Sequence, residues 1–133
     1  MKLASLILLL SLLKAPQEFN DRRIIVISAS KFTSEINDQI DSLKKSSKGL
    51  KERKLAVFTQ IDGEMKAIFN TTEQSKKFVE KNKAKYVASS TPEIYLIGLD
   101  KTIKQKFTKF VYPRQVFTIV DNMPMRRAEM RRN

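Results

Sequence analysis

The residue types that most often do chemistry in proteins are absent from this chain. Its 133 residues include no cysteine and no histidine. Without cysteine there can be no disulfide, thiolate nucleophile or zinc–thiolate site, and without histidine the usual general base is missing. Catalysis would have to run on Asp, Glu, Lys, Tyr or Ser. We therefore expect a protein that is not an enzyme, with no catalytic residues, no bound metal and no cofactor.

One loop could still hold a reaction. Ser28–Ser34 follows the first predicted strand, and a base for its hydroxyls would have to come from Glu35, Asp38 or Glu93. Proton transfer needs such a base within hydrogen-bond reach, and no spacing in the sequence marks a pair. An enzyme of unknown reaction, run by carboxylate or Ser/Tyr chemistry, is the first alternative to a binding protein.

Positive charge is the strongest chemical feature of the chain. The net charge is +12, from 26 Lys and Arg against 14 Asp and Glu. Such a surplus favours polyanionic partners through counterion release and long-range steering. The candidate polyanion-binding residues form two groups, Lys44, Lys45, Lys48, Lys51, Arg53 and Lys54 with only Glu52 opposing, and Lys104 and Lys106 on one strand face. A solvated helix end and an edge strand guarded by lysine explain these groups equally well.

A second candidate site lies near the C-terminus. Its motif residues are Asp121, Met123, Pro124, Met125, Arg126, Arg127, Glu129 and Met130. In a functional interpretation, Arg126 and Arg127 grip a carboxylate or phosphate, with methionines as an adaptable contact. In a structural interpretation, Pro124 ends a helix and the arginines meet its last carbonyls or pair with Asp121 and Glu129. The pattern alone leaves both interpretations open.

The N-terminus has the pattern of a secretory signal. Lys2 is followed by the apolar or small residues of 3–13, a stretch shorter than the ~20 residues that span a bilayer. We expect 1–15 to be a signal peptide, or a membrane tether where it stays uncleaved, and the protein to be exported to the periplasm or the extracellular space. Removing 1–15 takes away Lys2 and Lys14 and no acid, which leaves about +10.

The elements that position the candidate residues can be predicted from hydrophobic patterns. Strands are expected at 22–28, 55–61, 94–97 and 102–107, with 64–69 pairing back through Asp62-Gly63. Helices are expected after Ser30 or Thr33, with either of them as the cap, after Asn70 with Glu73 as a capping box, and from Pro113 to a stop at Pro124. This order predicts a parallel strand pair, an antiparallel hairpin, and an α/β fold with a thioredoxin-like mixed sheet of about four to five strands and helices on both faces. One domain over 20–130 and a basic tail at 131–133 complete the chain.

The sequence also resembles the family called domain of unknown function 4174. The resemblance is carried by Ile119–Met130, by Arg23–Val26, by Leu50–Leu55, and by Leu96–Asp100 with Lys104 beyond. It covers roughly residues 20–130. The resemblance implies a thioredoxin-like, exported, non-catalytic domain, found also in animal extracellular-matrix proteins with sushi repeats. The family often has glycine where this chain has Lys101, which leaves the turn type there open.

A thioredoxin-like fold places its redox Cys-x-x-Cys in the loop at Ser28–Ser34, where this chain has serine and threonine and cannot exchange disulfides. A cis bond at Pro92 is a further hypothesis, with a strand-entry proline as its alternative. We expect an exported binding or structural module whose ligand is unknown, with an anionic glycan or a cell-surface or matrix component as partner. Membrane contact is expected only through an uncleaved N-terminal segment.

A nucleic-acid binder is the second alternative, supported by the charge. The export signal speaks against it, and so does the scarcity of stacking platforms, since only 8% of residues are aromatic and none is tryptophan. We therefore expect no nucleic acid among the partners.

Overall fold

A computed structural model describes residues 21–87 and 91–132 of the protein. The predicted signal peptide or tether at 1–15 lies outside these residues. Within the described part of the chain, no helix is both long and apolar enough to cross a membrane.

Five strands and five α-helices build the described fold. The strands are β1 (Arg23–Ala29), β2 (Leu55–Ile61), β3 (Glu64–Phe69), β4 (Glu93–Ile97) and β5 (Ile103–Phe107). The helices are α1 (Ser34–Lys45), α2 (Ser47–Glu52), α3 (Glu73–Lys81), α4 (Pro113–Asp121) and α5 (Pro124–Arg132), with a short 3₁₀ helix at Lys83–Tyr86.

The strands form one mixed sheet in the order β3-β2-β1-β4-β5. β1 and β2 are parallel, with Arg23 opposite Leu55 and Ala29 opposite Ile61. The other three neighbouring pairs are antiparallel. This confirms the predicted mixed sheet, with its parallel pair around α1 and its hairpin of β4 and β5. The segment after Asp62-Gly63 does pair back on β2 and adds the fifth strand at the edge.

The sheet is covered on both faces, as the unbroken apolar run of β1 predicts. Ile25 and Ile27 enter a cluster with the buried residues of α1, α2 and α4. Ile24 and Val26 enter a second cluster with Val79 of α3 and the 3₁₀ helix. All seven residues of β1 and all seven of β2 are buried, so these two strands form the centre of the hydrophobic core.

The structure confirms one predicted helix cap and corrects another. Thr33 caps α1, because its side-chain oxygen accepts the N–H of Ile36 at 3.3 Å. The predicted capping box of Asn70 and Glu73 is wrong. Thr72 caps α3 instead, and its partner in a reciprocal box is Ser75. Asn70 has a left-handed φ of 56° and donates its side-chain N–H to the Leu55 carbonyl.

The helix that precedes Pro124 does end before it, and Pro124 also begins a further helix. α4 ends at Asp121, and α5 runs from Pro124 through Arg131 and Arg132, which the sequence placed in a tail. Proline is tolerated in the first turn of a helix because its missing N–H has no intrahelical partner there. The two helices meet at a sharp junction, which carries most of the C-terminal motif.

Two turn features answer questions that the sequence left open. All peptide bonds in the described segments are trans, so the hypothesis of a cis bond at Pro92 is wrong, and Pro92 lies directly before β4. Lys101 has a left-handed φ of 66°, and its N–H donates to the Gly98 carbonyl at 2.9 Å. That conformation favours glycine, which is the residue that the family resemblance implies at this position.

Candidate binding sites

The C-terminal motif is part of a group of charged residues drawn from four elements. We call this group the arginine cluster, and its members are Arg23, Glu52, Arg53, Asp121, Arg126 and Glu129. Arg126 lies at its centre and is only 2% exposed. Its Nε donates to Asp121 Oδ1 at 3.1 Å, and its Nη1 donates to the Glu52 carbonyl at 3.2 Å. Nη2 reaches the Glu52 carboxylate at 3.3 Å.

The other two arginines complete the cluster. Arg53 binds Asp121 through two parallel hydrogen bonds of 2.9 and 2.8 Å, and its guanidinium lies 4.2 Å from the centre of the Phe117 ring. Arg23 binds the Glu129 carboxylate at 3.3 and 3.1 Å and the Arg53 carbonyl at 2.8 Å. Paired hydrogen bonds of this kind are among the strongest between side chains. They tie the start of β1 to α2, α4 and α5.

These contacts favour the structural interpretation of Arg126. Each of its three side-chain nitrogens has a hydrogen-bond partner within the protein, and four of its five N–H donors are used in this way. Arg127 points to solvent, and no side-chain hydrogen bond or ion pair joins it to another described residue. Met125 and Met130 are 45% and 41% exposed. The two arginines therefore have different surroundings although they are neighbours in sequence.

The cluster shifts the pKa of its carboxyl groups. Burial by itself raises the pKa of Asp121, but hydrogen bonds from Arg53 and Arg126 outweigh it and hold that pKa below its ordinary value. Burial likewise acts to raise the pKa of Glu129, and the hydrogen bond from Arg23 leads the effects that lower it. Both groups therefore stay ionised to lower pH in the folded protein than in the unfolded chain.

This shift predicts acid sensitivity of the fold. In the folded state the lowered pKa values reduce proton binding relative to the unfolded chain, so the stabilisation is complete above the unfolded pKa and is lost as pH falls through the folded pKa. We expect the free energy of unfolding to decrease from about pH 5 to about pH 3, and Glu129→Gln to make that decrease shallower. Urea denaturation at several pH values measures it. The matched variant Glu64→Gln, at an exposed position of β3, should keep the wild-type slope, and equal slopes for all three proteins would contradict the assignment.

The first predicted basic group is divided by the structure. Lys44, Lys45, Lys48, Lys51 and Lys54 are exposed. Arg53, which the sequence placed with them, turns inward to Asp121 and is not part of the exposed surface, with 15% of its side chain accessible. The opposing Glu52 pairs with Arg126 and approaches Arg53 at 3.9 Å. We call the five exposed lysines the lysine surface.

The second predicted basic group lies on another part of the fold. Lys104 pairs with Asp100 at 2.7 Å, and Lys106 approaches Glu93 at 3.9 Å. The hydrogen bond from Lys104 is the main reason that the pKa of Asp100 falls to about 2. Both lysines are on β5, at the opposite edge of the sheet from β3. Their charges are partly neutralised in place.

Different cavities border the loop serines and the candidate base Glu35. One of about 260 Å³ is lined by Ser28 and Ser30, and one of about 50 Å³ lies beside Glu35. The Tyr95 hydroxyl donates to the Glu93 carboxylate. Burial, followed by this hydrogen bond, raises the pKa of Tyr95 to about 12, so the tyrosine is a neutral donor. Among residues 21–87 and 91–132, no group of three acidic side chains could hold a metal ion.

Two buried polar residues make contacts that the sequence analysis does not indicate. Arg23 is predicted only as part of a strand and of a segment that resembles the family, and Gln39 is not singled out. Gln39 is 2% exposed. Its side-chain oxygen accepts the N–H of Val111 at 2.9 Å, and its side-chain nitrogen donates to the Val111 carbonyl at 2.8 Å. The available signal for Gln39 was its position within the apolar stripe of Ile36, Ile40 and Leu43, where a polar side chain needs a buried partner.

Comparison with known proteins agrees with the family resemblance that the C-terminal motif indicates. No curated protein and no solved structure matched the chain. The family described as Domain of unknown function (DUF4174) matches residues 15–129, which include all five strands and the arginine cluster. The chain therefore belongs to the DUF4174 family.

Proposed function

We propose that this protein is an exported, non-catalytic module that binds a polyanionic surface or matrix component through the lysine surface. One observation carries the proposal. Five exposed lysines lie within residues 44–54. The one acid in that segment, Glu52, is paired with Arg126 within the arginine cluster. The proposed ligand is a sulfated or phosphorylated glycan, since such chains carry closely spaced negative charges.

The geometry of α1 and α2 supports the binding of a chain rather than of a single anion. Lys44 and Lys45 are in the last turn of α1, and Lys48 and Lys51 are on the short helix that follows directly. Lys54 comes just after α2 and has a left-handed φ of 53°. Lysine ammonium groups act as point charges without fixed geometry. Several such charges within eleven residues suit a flexible polyanion whose binding releases counterions.

One further observation supports binding rather than catalysis, and another supports export. The loop from Ser28 to Ser34 has no thiol or imidazole, and the candidate bases Glu35, Asp38 and Glu93 do not line the cavity of about 260 Å³ that its serines border. The apolar stretch at 3–13 after Lys2 supports export. The positive charge also suits nucleic acid, and the apolar N-terminal stretch is the observation that speaks against that alternative.

Charge-matched variants test the lysine surface. We expect the triple variant Lys44→Gln, Lys48→Gln, Lys51→Gln to bind heparin about 100-fold more weakly than the parent, since a lysine near an anionic surface contributes roughly 1 kcal/mol. The control is the triple Lys77→Gln, Lys81→Gln, Lys85→Gln on α3 and the 3₁₀ helix, which removes the same charge from exposed positions. Elution from a heparin column and equilibrium titration at fixed salt give the comparison. Equal losses in the two triples would mean that only net charge matters.

Fractionation of cells that express the tagged full chain tests export. We expect the protein in the periplasm or the medium, with the apolar segment as the determinant. Replacing Leu8 and Leu9 by aspartate should retain it in the cytoplasm, because charges in that segment oppose membrane insertion. A full chain that stays in the cytoplasm without this change would contradict export and favour the nucleic-acid alternative.

A further inference from the structure

A cavity of about 420 Å³ lies beside the arginine cluster and outside the lysine surface. It is formed where the start of β1, the turn between β4 and β5, and the junction of α4 and α5 come together. Its apolar wall consists of Leu99, Ile119, Met123, Pro124 and Met125. A cavity of this volume, with a mainly apolar wall and a few polar groups, has the size and character of a small-molecule site.

Arg23 gives the cavity a polar end. The side chain lines the cavity and is 1% exposed. Its two terminal nitrogens bind Glu129 and the Arg53 carbonyl, but its Nε is buried without a hydrogen-bond partner. Buried donors are nearly always paired in native proteins. This unpaired N–H is therefore an unused donor on a side chain that lines the cavity.

The first turn of α5 adds a second set of donors. Met123, Pro124 and Met125 line the cavity at the helix N-terminus. The N–H groups of Met125 and Arg126 have no acceptor among the described residues. Methionine at the residue before the helix cannot supply the side-chain oxygen that usually caps such groups. Free N–H groups and the helix dipole both favour an anion at this position.

One acidic group also borders the cavity. Asp100 accepts hydrogen bonds from Lys104 and from the Thr102 side chain and N–H. Lys104 lines the cavity as well. Its ammonium group is paired with the Asp100 carboxylate at 2.7 Å, so its charge is partly neutralised. The carboxylate of Asp100 opposes an incoming anion, and this opposition provides a test.

We propose that this cavity binds a small monocarboxylate with an apolar tail. The carboxylate accepts the Arg23 Nε–H and the first N–H groups of α5, and the tail lies along Leu99, Ile119 and Met123. Met125 is 45% exposed and forms part of the outer wall, so the ligand enters by displacing one flexible side chain. The site is separate from the lysine surface and does not depend on the proposed function.

Octanoate and its neutral analogue octanamide are the probes. We expect octanoate to bind the purified protein saturably, with shifts of the backbone amide NMR signals at 98–101 and 122–126. Octanamide has the same tail but no charge, so we expect it to bind at least about tenfold more weakly, since hydrogen bonds to charged groups are the stronger ones. Equal affinities, unsaturable binding, or shifts centred elsewhere would overturn the proposal.

A variant that leaves the arginine cluster intact gives the second test. Asp100→Asn keeps the acceptor for Thr102 and removes the negative charge beside the cavity. We expect it to strengthen octanoate binding about threefold, the size typical of one exposed charge interaction, and to leave octanamide unchanged. The control Asp62→Asn removes the same charge from the exposed turn before β3. An equal gain from Asp62→Asn, or no gain from Asp100→Asn, would contradict a carboxylate site in this cavity.

Discussion

Replacing Arg126 by leucine is expected to lower the free energy of unfolding by about 3 kcal/mol, the lower end of the range for breaking a buried ion pair. The guanidinium joins Asp121, Glu52 and Glu129 and is 2% exposed. Its loss leaves the Glu52 carbonyl without this donor and leaves three carboxylates close together. Two of those carboxylates are partly exposed, at 31% for Asp121 and 58% for Glu52, and water therefore moderates the effect.

The neighbouring arginine is the matched control. Arg127→Leu makes the same chemical change one residue further along α5, at an exposed position. We expect its effect to stay within about 0.5 kcal/mol, as for most surface substitutions. Arg126→Lys should fall between the two, because lysine keeps the charge but not the planar set of donors. Urea denaturation monitored by circular dichroism measures all three. Similar small effects for Arg126→Leu and Arg127→Leu would contradict a structural role for the cluster.

Replacing Gln39 by methionine is the second prediction with a large expected effect. Methionine has nearly the same size and shape, but it cannot pair with the N–H and carbonyl of Val111. Val111 is 3% exposed, so water does not readily replace the lost partner. We expect a loss of about 3 kcal/mol, because each buried backbone group left unsatisfied costs roughly 1–3 kcal/mol.

Thermal or urea unfolding measures the effect of Gln39→Met. The control Gln74→Met makes the same change on α3, where the side chain is exposed, and it should alter stability by less than about 0.5 kcal/mol. The Gln39 variant should also exchange the Val111 amide hydrogen faster, since that N–H loses its acceptor. Unchanged exchange at Val111 would show that the hydrogen bond from its N–H to the Gln39 side chain contributes little to stability.

The fold could be predicted from the sequence because its local signals agree with one another. The β-branched run that becomes β1 has no polar interruption, which indicates a strand buried on both faces. Asp62-Gly63 marks the hairpin between β2 and β3, and Asp62 and Gly63 both have positive φ, as that turn requires. These signals lie within a few residues of the structure that they specify.

The arginine cluster could not be predicted in the same way, because its members come from distant parts of the chain. Arg23 and Glu129 are separated by 106 positions and Arg53 and Asp121 by 68. Charge counts alone do not distinguish a buried arginine from an exposed lysine, so Arg53 was grouped with its lysine neighbours. The available signal was the use of arginine among many lysines, since arginine is the usual choice for buried ion pairs.

The C-terminal junction shows a different limit. Pro124 predicted the end of a helix, because proline interrupts the helix that precedes it. The same residue fits the first turn of the next helix, and the sequence does not state which rule applies. The structure has both, with α4 ending at Asp121 and α5 beginning at Pro124. This arrangement places Arg126 in the cluster and Arg127 in solvent.

Chemical-shift mapping with a heparin-derived hexasaccharide tests most directly the claim that this protein binds a polyanion through the lysine surface. The measurement records backbone amide NMR spectra of the protein during titration at physiological salt. We expect the largest saturable shifts at residues 44–54. Shifts centred on 76–85, or small shifts spread over all basic residues, would contradict the account.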